Sequence, residues 1–281
     1  MLVKKRNALW LMLLFVFVLP ALVNANGITS DMWGEIKAWD HSTQAVERMP
    51  WVYGNTLYYA KDYDIYSSTF ENGVWSEPQP VPGPINTGAN EINPCVVGGG
   101  KVLYFARHDP FSDYDFYRSE WDEETHQWGE PEVIDALSTD GQEWKIWVDE
   151  NETVAYITTK GTFDDSTTEV RNVWKSTMEA DGWSTPISIG EPINSGVNVW
   201  SIFVGPEGEI YVDGMRELAL THYELYVATD ENSEPVLLGA PFNTKANERE
   251  MAFNGNFLFI CAQNREGGVG GYCLFYAERI K

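Results

Sequence analysis

Residues Asp64 to Glu91 read DIYSSTFENGVWSEPQPVPGPINTGANE. Asp64-Ile65-Tyr66 begins a strand, Glu71-Asn72-Gly73 turns it, and Trp75-Ser76-Glu77-Pro78 opens the next. A crossing rich in proline and glycine ends in Ile85-Asn86-Thr87, and Glu91 follows four residues later. The same order recurs as Asp115-Phe116-Tyr117, Trp128-Gly129-Glu130-Pro131, Leu137-Ser138-Thr139 and Glu143. A third copy has Asn172-Val173-Trp174, Trp183-Ser184-Thr185-Pro186, Ile193-Asn194-Ser195 and Val199. A fourth has Glu224-Leu225-Tyr226, Glu234-Pro235, Phe242-Asn243-Thr244 and Glu248.

The residue that precedes each innermost strand marks the period. Glu47, Glu91, Glu143, Val199 (where the acid is lost) and Glu248 stand 44 to 56 residues apart. That spacing fits a four-stranded propeller blade and excludes shorter solenoid repeats. Only 33 residues follow Glu248, too few for a blade, but 22 more run from Asn26 to Glu47. Met32-Trp33-Gly34-Glu35-Ile36 also matches Val74-Trp75-Ser76-Glu77-Pro78. The N-terminal segment is therefore expected to complete the last blade and close the ring by strand pairing. Gly54-Asn55 and Asn254-Gly255 supply hairpin turns, because both residue types accept positive φ. No window of helical periodicity exceeds a couple of turns. The expected fold is all-β, a five-bladed β-propeller of four-stranded antiparallel blades. Trp33, Trp75, Trp128 and Trp183 share one register and are expected to be structural.

Lys4, Lys5 and Arg6 precede an apolar run from Ala8 to Val23, and small residues end it at Val23-Asn24-Ala25. This is the pattern of a secretory signal peptide, and the run is short for a membrane span of about 20 residues. Residues 1–25 are expected to be removed, leaving 26–281 as one domain, periplasmic or secreted and not inserted in a membrane. A formal charge of −23, from 42 acidic and 19 basic residues, excludes nucleic acid as a partner, since binding it needs a basic footprint. The oxidising compartment permits disulfides. Cys261 and Cys273 fall on consecutive strands of one expected hairpin, which allows a bridge between them, and Cys95 is left as a buried free thiol.

The repeat units Asp-Ile-Tyr, Trp-Ser-Glu-Pro, Ile-Asn-Thr and Leu-Tyr-Phe resemble the WD-like propeller repeat of TolB-type periplasmic and envelope proteins. The resemblance spans the mature chain and is clearest in the first two blades. It implies a propeller in an extracytoplasmic setting. In those relatives such repeats mostly mediate binding, so no reaction is implied.

Propellers take ligands at the mouth of the central channel, where the innermost strands begin. Glu47-Arg48, Glu91-Ile92, Glu143-Trp144, Val199-Trp200 and Glu248-Arg249 would ring that mouth. The expected ligand-binding set is Glu47, Arg48, Glu91, Glu143, Trp144, Trp200, Glu248 and Arg249, joined on the rim by Arg107 and His108. Trp144 and Trp200 would stack on a sugar ring, the arginines would bond polar groups, and the glutamates would orient hydroxyls. The partner class is a saccharide or an envelope protein. A competing reading is a glycoside hydrolase. The arabinanase-type five-bladed glycosidases place three carboxylates at the channel mouth, and Glu47, Glu91 and Glu143 come from consecutive blades. The acids recur as repeat features and lack that family's surrounding motifs, so no catalytic residue is assigned. His41, His108, His126 and His222 have no metal-ligand spacing. No cofactor is expected, with calcium at Asp109, Asp113 and Asp115 or at Asp164 and Asp165 as the one cation considered.

Overall fold

Each repeat folds into a small antiparallel sheet whose strands run outward from a common axis in chain order. The computed structural model describes residues 27–109, 113–164, 170–195, 198–215 and 222–281. The expected signal peptide lies outside them. Blade 1 comprises Glu47–Tyr53, Thr56–Lys61, Asp64–Glu71 and Val74–Trp75. Blade 2 comprises Glu91–Val97, Val102–Asp109, Asp113–Asp122 and Gln127–Trp128. Blade 3 comprises Glu143–Val148, Val154–Thr159, Asn172–Glu179 and Gly182–Trp183. Blade 4 comprises Val199–Val204, Ile210–Gly214, Glu224–Ala228 and Val236–Leu237. Blade 5 comprises Asn247–Phe253, Phe257–Gln263 and Tyr272–Glu278, with Lys37–Ala38 as its outermost strand. This is the five-bladed propeller that the repeat predicts.

The two ends of the chain meet as expected. Lys37 pairs with Tyr276 and Ala38 with Phe275, and Trp33 bridges Arg279. Backbone hydrogen bonds from Gly34 to Glu278 and from Trp39 to Leu274, each 2.9 Å, extend the pairing to either side. Trp39 then wedges between blades 5 and 1. It is buried against Tyr59, Trp75 and Phe259, with ring centroids 5.3 to 6.4 Å apart and edge-on geometry. Such pairs add to the large area that an indole removes from water.

The repeated motifs now have physical readings. At Asn72-Gly73 both residues have positive φ, 53° and 84°, as a two-residue hairpin turn of the primed type requires. Ser76, after the blade-1 tryptophan, accepts from the Thr69 amide at 3.0 Å and ties the outer strand to its neighbour. In Ile85-Asn86-Thr87 the isoleucine is fully buried. The Asn86 side-chain amide accepts from the Ile65 amide at 2.7 Å and donates to the Ile65 carbonyl at 2.9 Å, imitating a strand partner. Asn194 treats Val173 the same way, and Asn243 treats Leu225. Gly83, in the crossing to blade 2, has φ 97°, and a Cβ there would meet the Trp128 carbonyl at 2.2 Å. Trp33, Trp75 and Trp128 are buried and Trp183 is half-buried.

One expectation is corrected. Cys261 pairs with Leu274, whereas Cys273 pairs with Ala262. The two cysteines are therefore one position out of register, and side chains alternate between sheet faces. Cys261 points into the core between blades 5 and 1, and Cys273 points into a separate cluster with Ala262 and Phe275. All three cysteines are free and buried, and burial pushes the Cys95 thiol up to about 12.

If Trp39 secures the ring closure, Trp39→Ala costs about 3–5 kcal/mol in denaturant unfolding, as a buried Trp truncation does. The exposed control Val74→Ala stays within about 0.5 kcal/mol. Equal midpoints for the two variants would show that the N-terminal strand is not needed for closure.

Candidate functional site

In every blade the innermost strand loses register soon after it begins. The ladder shifts between Arg48 and Trp51, Ile92 and Cys95, Glu143 and Lys145, Val199 and Ser201, and Arg249 and Met251. In three blades a non-glycine residue there has positive φ: Met49 at 60°, Asn93 at 56° and Glu250 at 50°. A β-bulge bends its strand and re-aims the neighbouring side chains, and here they are turned toward the axis. Contacts between blades that are not neighbours locate that axis. The Arg48 guanidinium of blade 1 lies 5.5 Å from the Trp144 ring of blade 3. Lys145 Nζ lies 5.6 Å from the Trp51 ring. Deeper still, Trp51 meets Phe203 of blade 4 at 5.9 Å, and Phe203 meets Phe253 at 4.8 Å. Side chains therefore plug the channel beneath its mouth.

The four glutamates expected at the mouth lie instead in its wall. Glu47, Glu91, Glu143 and Glu248 are all fully buried, and each carboxylate is held by the threonine four residues earlier. The Thr43, Thr87, Thr139 and Thr244 hydroxyls donate to them at 2.5 to 2.8 Å. Each threonine is the last residue of the crossing motif or its counterpart, so the recurring acid staples the crossing segment to the strand it enters. Arg107 completes the staple in blade 2, donating to Glu91 at 2.9 Å and to the Ile85 carbonyl at 2.9 Å. Arg265 does the same in blade 5, reaching Glu248 at 3.4 Å and the Pro241 carbonyl at 2.7 Å. Arg107 is thus committed to the wall rather than free on the rim. His108 packs edge-on against Tyr114 at 5.2 Å. In blade 3 the Thr159 hydroxyl takes the place of the arginine, at 3.1 Å. Burial, with the nearby Asp115 charge, outweighs the threonine hydrogen bonds and pushes the Glu143 carboxyl up to about 8.

Arg48, Trp144, Trp200 and Arg249 are brought together at the mouth, and the outer layer there is aromatic. Trp144 and Trp200, both half-buried, meet edge-on at 5.4 Å with an interplanar angle of 82°. Tyr223 stands 6.0 Å from Trp200. The guanidinium of Arg249 lies 4.6 Å from both the Trp200 and the Tyr223 rings.

A second, buried layer escaped the sequence reading. Arg171, at 0% exposure, sets its guanidinium 4.1 Å from the Trp200 ring and 5.1 Å from the Trp144 ring. The two indoles therefore present edges at the mouth, with cations over their rings, rather than free stacking faces. Arg171 bonds the Gln142 side chain. Two carboxylates belong to this layer. Asp213 accepts from Ser201 and, at 3.2 Å, from Arg249 Nε. Glu250 accepts from Arg48 at 2.7 Å and from the Met49 amide at 3.0 Å. Burial raises the Asp213 carboxyl despite the neighbouring arginine. Burial would raise Glu250 as well, but the Arg48 and Arg249 charges outweigh it and hold that group at about 2.

Arg171 directly precedes the third-strand unit of blade 3, the place held by Tyr63, Tyr114 and Tyr223 in other blades. Its carbonyl accepts from the Val199 amide, as those of Tyr63 and Tyr223 accept from the Glu91 and Glu248 amides. The break from tyrosine to arginine is the signal that points to it. Glu250 follows the expected Arg249 directly, but its orientation depends on the bulge. Among the described residues no group of three or more His, Cys, Asp or Glu converges as a metal site would. Asp165 and the loop residues 110–112 and 216–221 lie outside them, and no described helix is long and apolar enough to cross a membrane.

No protein-family model and no curated protein matches the chain. Solved structures do. An endo-arabinanase from Bacillus licheniformis superposes with a TM-score of 0.55 at 13% identity, covering 86% of this chain and 95% of that one. A putative TolB from Agrobacterium tumefaciens gives 0.51 at 10% identity, covering 88% and 100%. TolB from Acinetobacter baumannii gives 0.43 at 9% identity, and the chain spans only 52% of that protein. At such identities the likeness is one of fold: a propeller shared by TolB-type and arabinanase-type proteins.

The buried Glu143 yields a pH test. The unfolded chain releases this proton near the ordinary value of 4.5 and the folded chain only near 8. Between those values the folded state binds more protons, so stability falls as pH rises and is fully present only below 4.5. Relative to Glu143→Gln, the wild type loses about 1 kcal/mol per pH unit across that window. Denaturant midpoints measured from pH 4 to 9 check this, and parallel curves for the two proteins would refute it.

Proposed function

We propose that this chain is an exported binding module, periplasmic or secreted, that takes a saccharide at the channel mouth. One observation carries the reading. The mouth gathers, from four different blades, the half-exposed edges of Trp144 and Trp200 and the guanidinium groups of Arg48 and, buried beneath them, Arg249, above a plugged channel. Such a surface, aromatic in body with a few convergent polar groups, suits a ring bearing hydroxyls. The chain's strong negative charge and its apolar N-terminal segment agree with a soluble, exported protein.

Hydrolysis is the competing reading, and the solved propellers weigh equally for it, since they include an endo-arabinanase as well as TolB. The carboxylates tip the balance toward binding. A glycosidase needs a pair about 5–9.5 Å apart on either side of the scissile bond. Glu47, Glu91 and Glu143 are buried and bonded to threonines. Asp213 and Glu250 are engaged with Ser201, Arg249 and Arg48.

Binding to a panel of cell-wall and extracellular glycans tests the proposal. Trp144→Ala with Trp200→Ala should weaken the retained glycan about tenfold or more, while Phe at both positions, which keeps an aromatic body, should retain part of the affinity. No reducing sugar should be released. Release that disappears in Glu91→Gln with Glu143→Gln would replace this reading with the hydrolase.

A further inference from the structure

Among the described residues, the inner layer of the mouth holds more cations than carboxylates. Arg48, Arg171, Arg249 and Lys145 converge there on Asp213 and Glu250. Arg171 and Arg249 are 0% and 4% exposed, and Lys145 is 2% exposed. Three guanidinium nitrogens in this layer, Arg48 Nε, Arg171 Nε and Arg171 Nη1, are buried without a hydrogen-bond acceptor, and a fourth, Arg249 Nη2, has only a long ion pair to Glu250 at 3.8 Å. No other arginine among the described residues has an orphaned buried nitrogen. Arg107 and Arg265, equally part of the fold, are satisfied by carbonyls and carboxylates.

Leaving a buried donor without an acceptor is costly, the more so when it is charged. A buried charge without its partner is among the least tolerable features of a protein interior. Arg171 stands in that position. Among the described residues its one side-chain hydrogen-bond partner is a neutral amide, Gln142. Burial, with the nearby Arg249 charge, pushes it down to about 10. A purely structural core position would be better filled by an apolar residue.

We propose that these orphaned N–H groups are the receptor for an oxyanion on the saccharide, so that the ligand is an acidic sugar. This rests on the saccharide reading above. The guanidinium fork matches a planar carboxylate, and several N–H groups from two or three arginines suit a single anionic group. The half-exposed indoles and tyrosine provide the approach, and Arg171 and Arg249 wait beneath them. The chain's net charge opposes this at long range, but exposed charges more than about 8 Å away are screened at physiological salt. Contacts at hydrogen-bond distance in so buried a layer are not screened in that way. The local excess therefore decides.

Two measurements on the full mature chain separate this inference from the saccharide reading. The first is thermal melting in added sodium acetate or sodium phosphate against the same ionic strength of chloride. Acetate, phosphate or both should raise the wild-type Tm, and which one does identifies the oxyanion. Arg171→Gln should be as stable as the wild type without added anion and should not respond to it. The second is a pull-down with acidic polysaccharides paired with their carboxyl-reduced, neutral counterparts, and with sugar phosphates beside their dephosphorylated forms. The wild type should prefer the anionic member roughly tenfold or more, and Arg171→Gln should lose that preference. Retention of neutral glycans without such preference would overturn the acidic-sugar inference and leave the saccharide reading intact. An anion-dependent Tm shift with no glycan retained would uphold the anion receptor and reject the saccharide. An Arg171→Gln variant less stable than the wild type, with no anion shift in either protein, would make Arg171 structural and overturn the proposal.

Discussion

The hydroxyl of a threonine closing on a carboxylate four residues later is the contact on which the propeller rests. A crossing between blades must leave one sheet at its outer edge, return to the axis and start the next strand at the right height. The fully buried isoleucine of Ile85-Asn86-Thr87 anchors the crossing in the core. Asn86 supplies it with borrowed strand partners, and Thr87 locks its end to Glu91. Burying a carboxylate is costly unless donors surround it, so each staple is tolerable only where the whole unit is in place. Blade 4 lacks the acid: Val199, nearly fully buried, occupies the place and fills it with apolar volume.

That constraint explains why the recurring glutamates look like a ring at the channel mouth in the sequence and lie in its wall in the structure. They begin the innermost strands, where a propeller's ligands sit, but the staple turns them into the wall. The bulge one residue later turns the following side chains the opposite way. Variation is thereby moved from the repeated position to its neighbours, which differ from blade to blade: Arg48, Ile92, Trp144, Trp200 and Arg249. A scaffold that repeats can recognise an asymmetric ligand only through such departures.

How much of this is legible in the sequence follows from which interactions are local. Turns, the tryptophan of the outer strand and the closing match of Met32-Trp33-Gly34 to Val74-Trp75-Ser76 are short-range signals, and five blades follow from counting them. The mouth residues Arg48, Trp144, Trp200 and Arg249 are legible because they stand beside a marked position. Arg171 is harder to see, because the place it shares with Tyr63, Tyr114 and Tyr223 lies before the third strand, away from the marked acid, and only the pairing of strands brings it to the axis. The register of Cys261 against Cys273 is equally hidden: one residue of offset across a hairpin separates a bridge from two thiols on opposite faces, and only the pairing of Ala262 with Cys273 decides it.

The latch between the two ends has a consequence for assembly. Four blades are built from neighbours in the chain, so their pairings form over short loops and quickly. The last sheet joins residues near 37 to residues near 276, and until they meet, Tyr272–Glu278 presents an open edge. An open edge accepts any strand of suitable sequence, including the leading strand of another copy. At high concentration two molecules can therefore exchange their leading strands, each completing the other's ring, and such an intertwined dimer would reproduce every contact of the monomer at the price of one altered connection between Trp39 and Glu47.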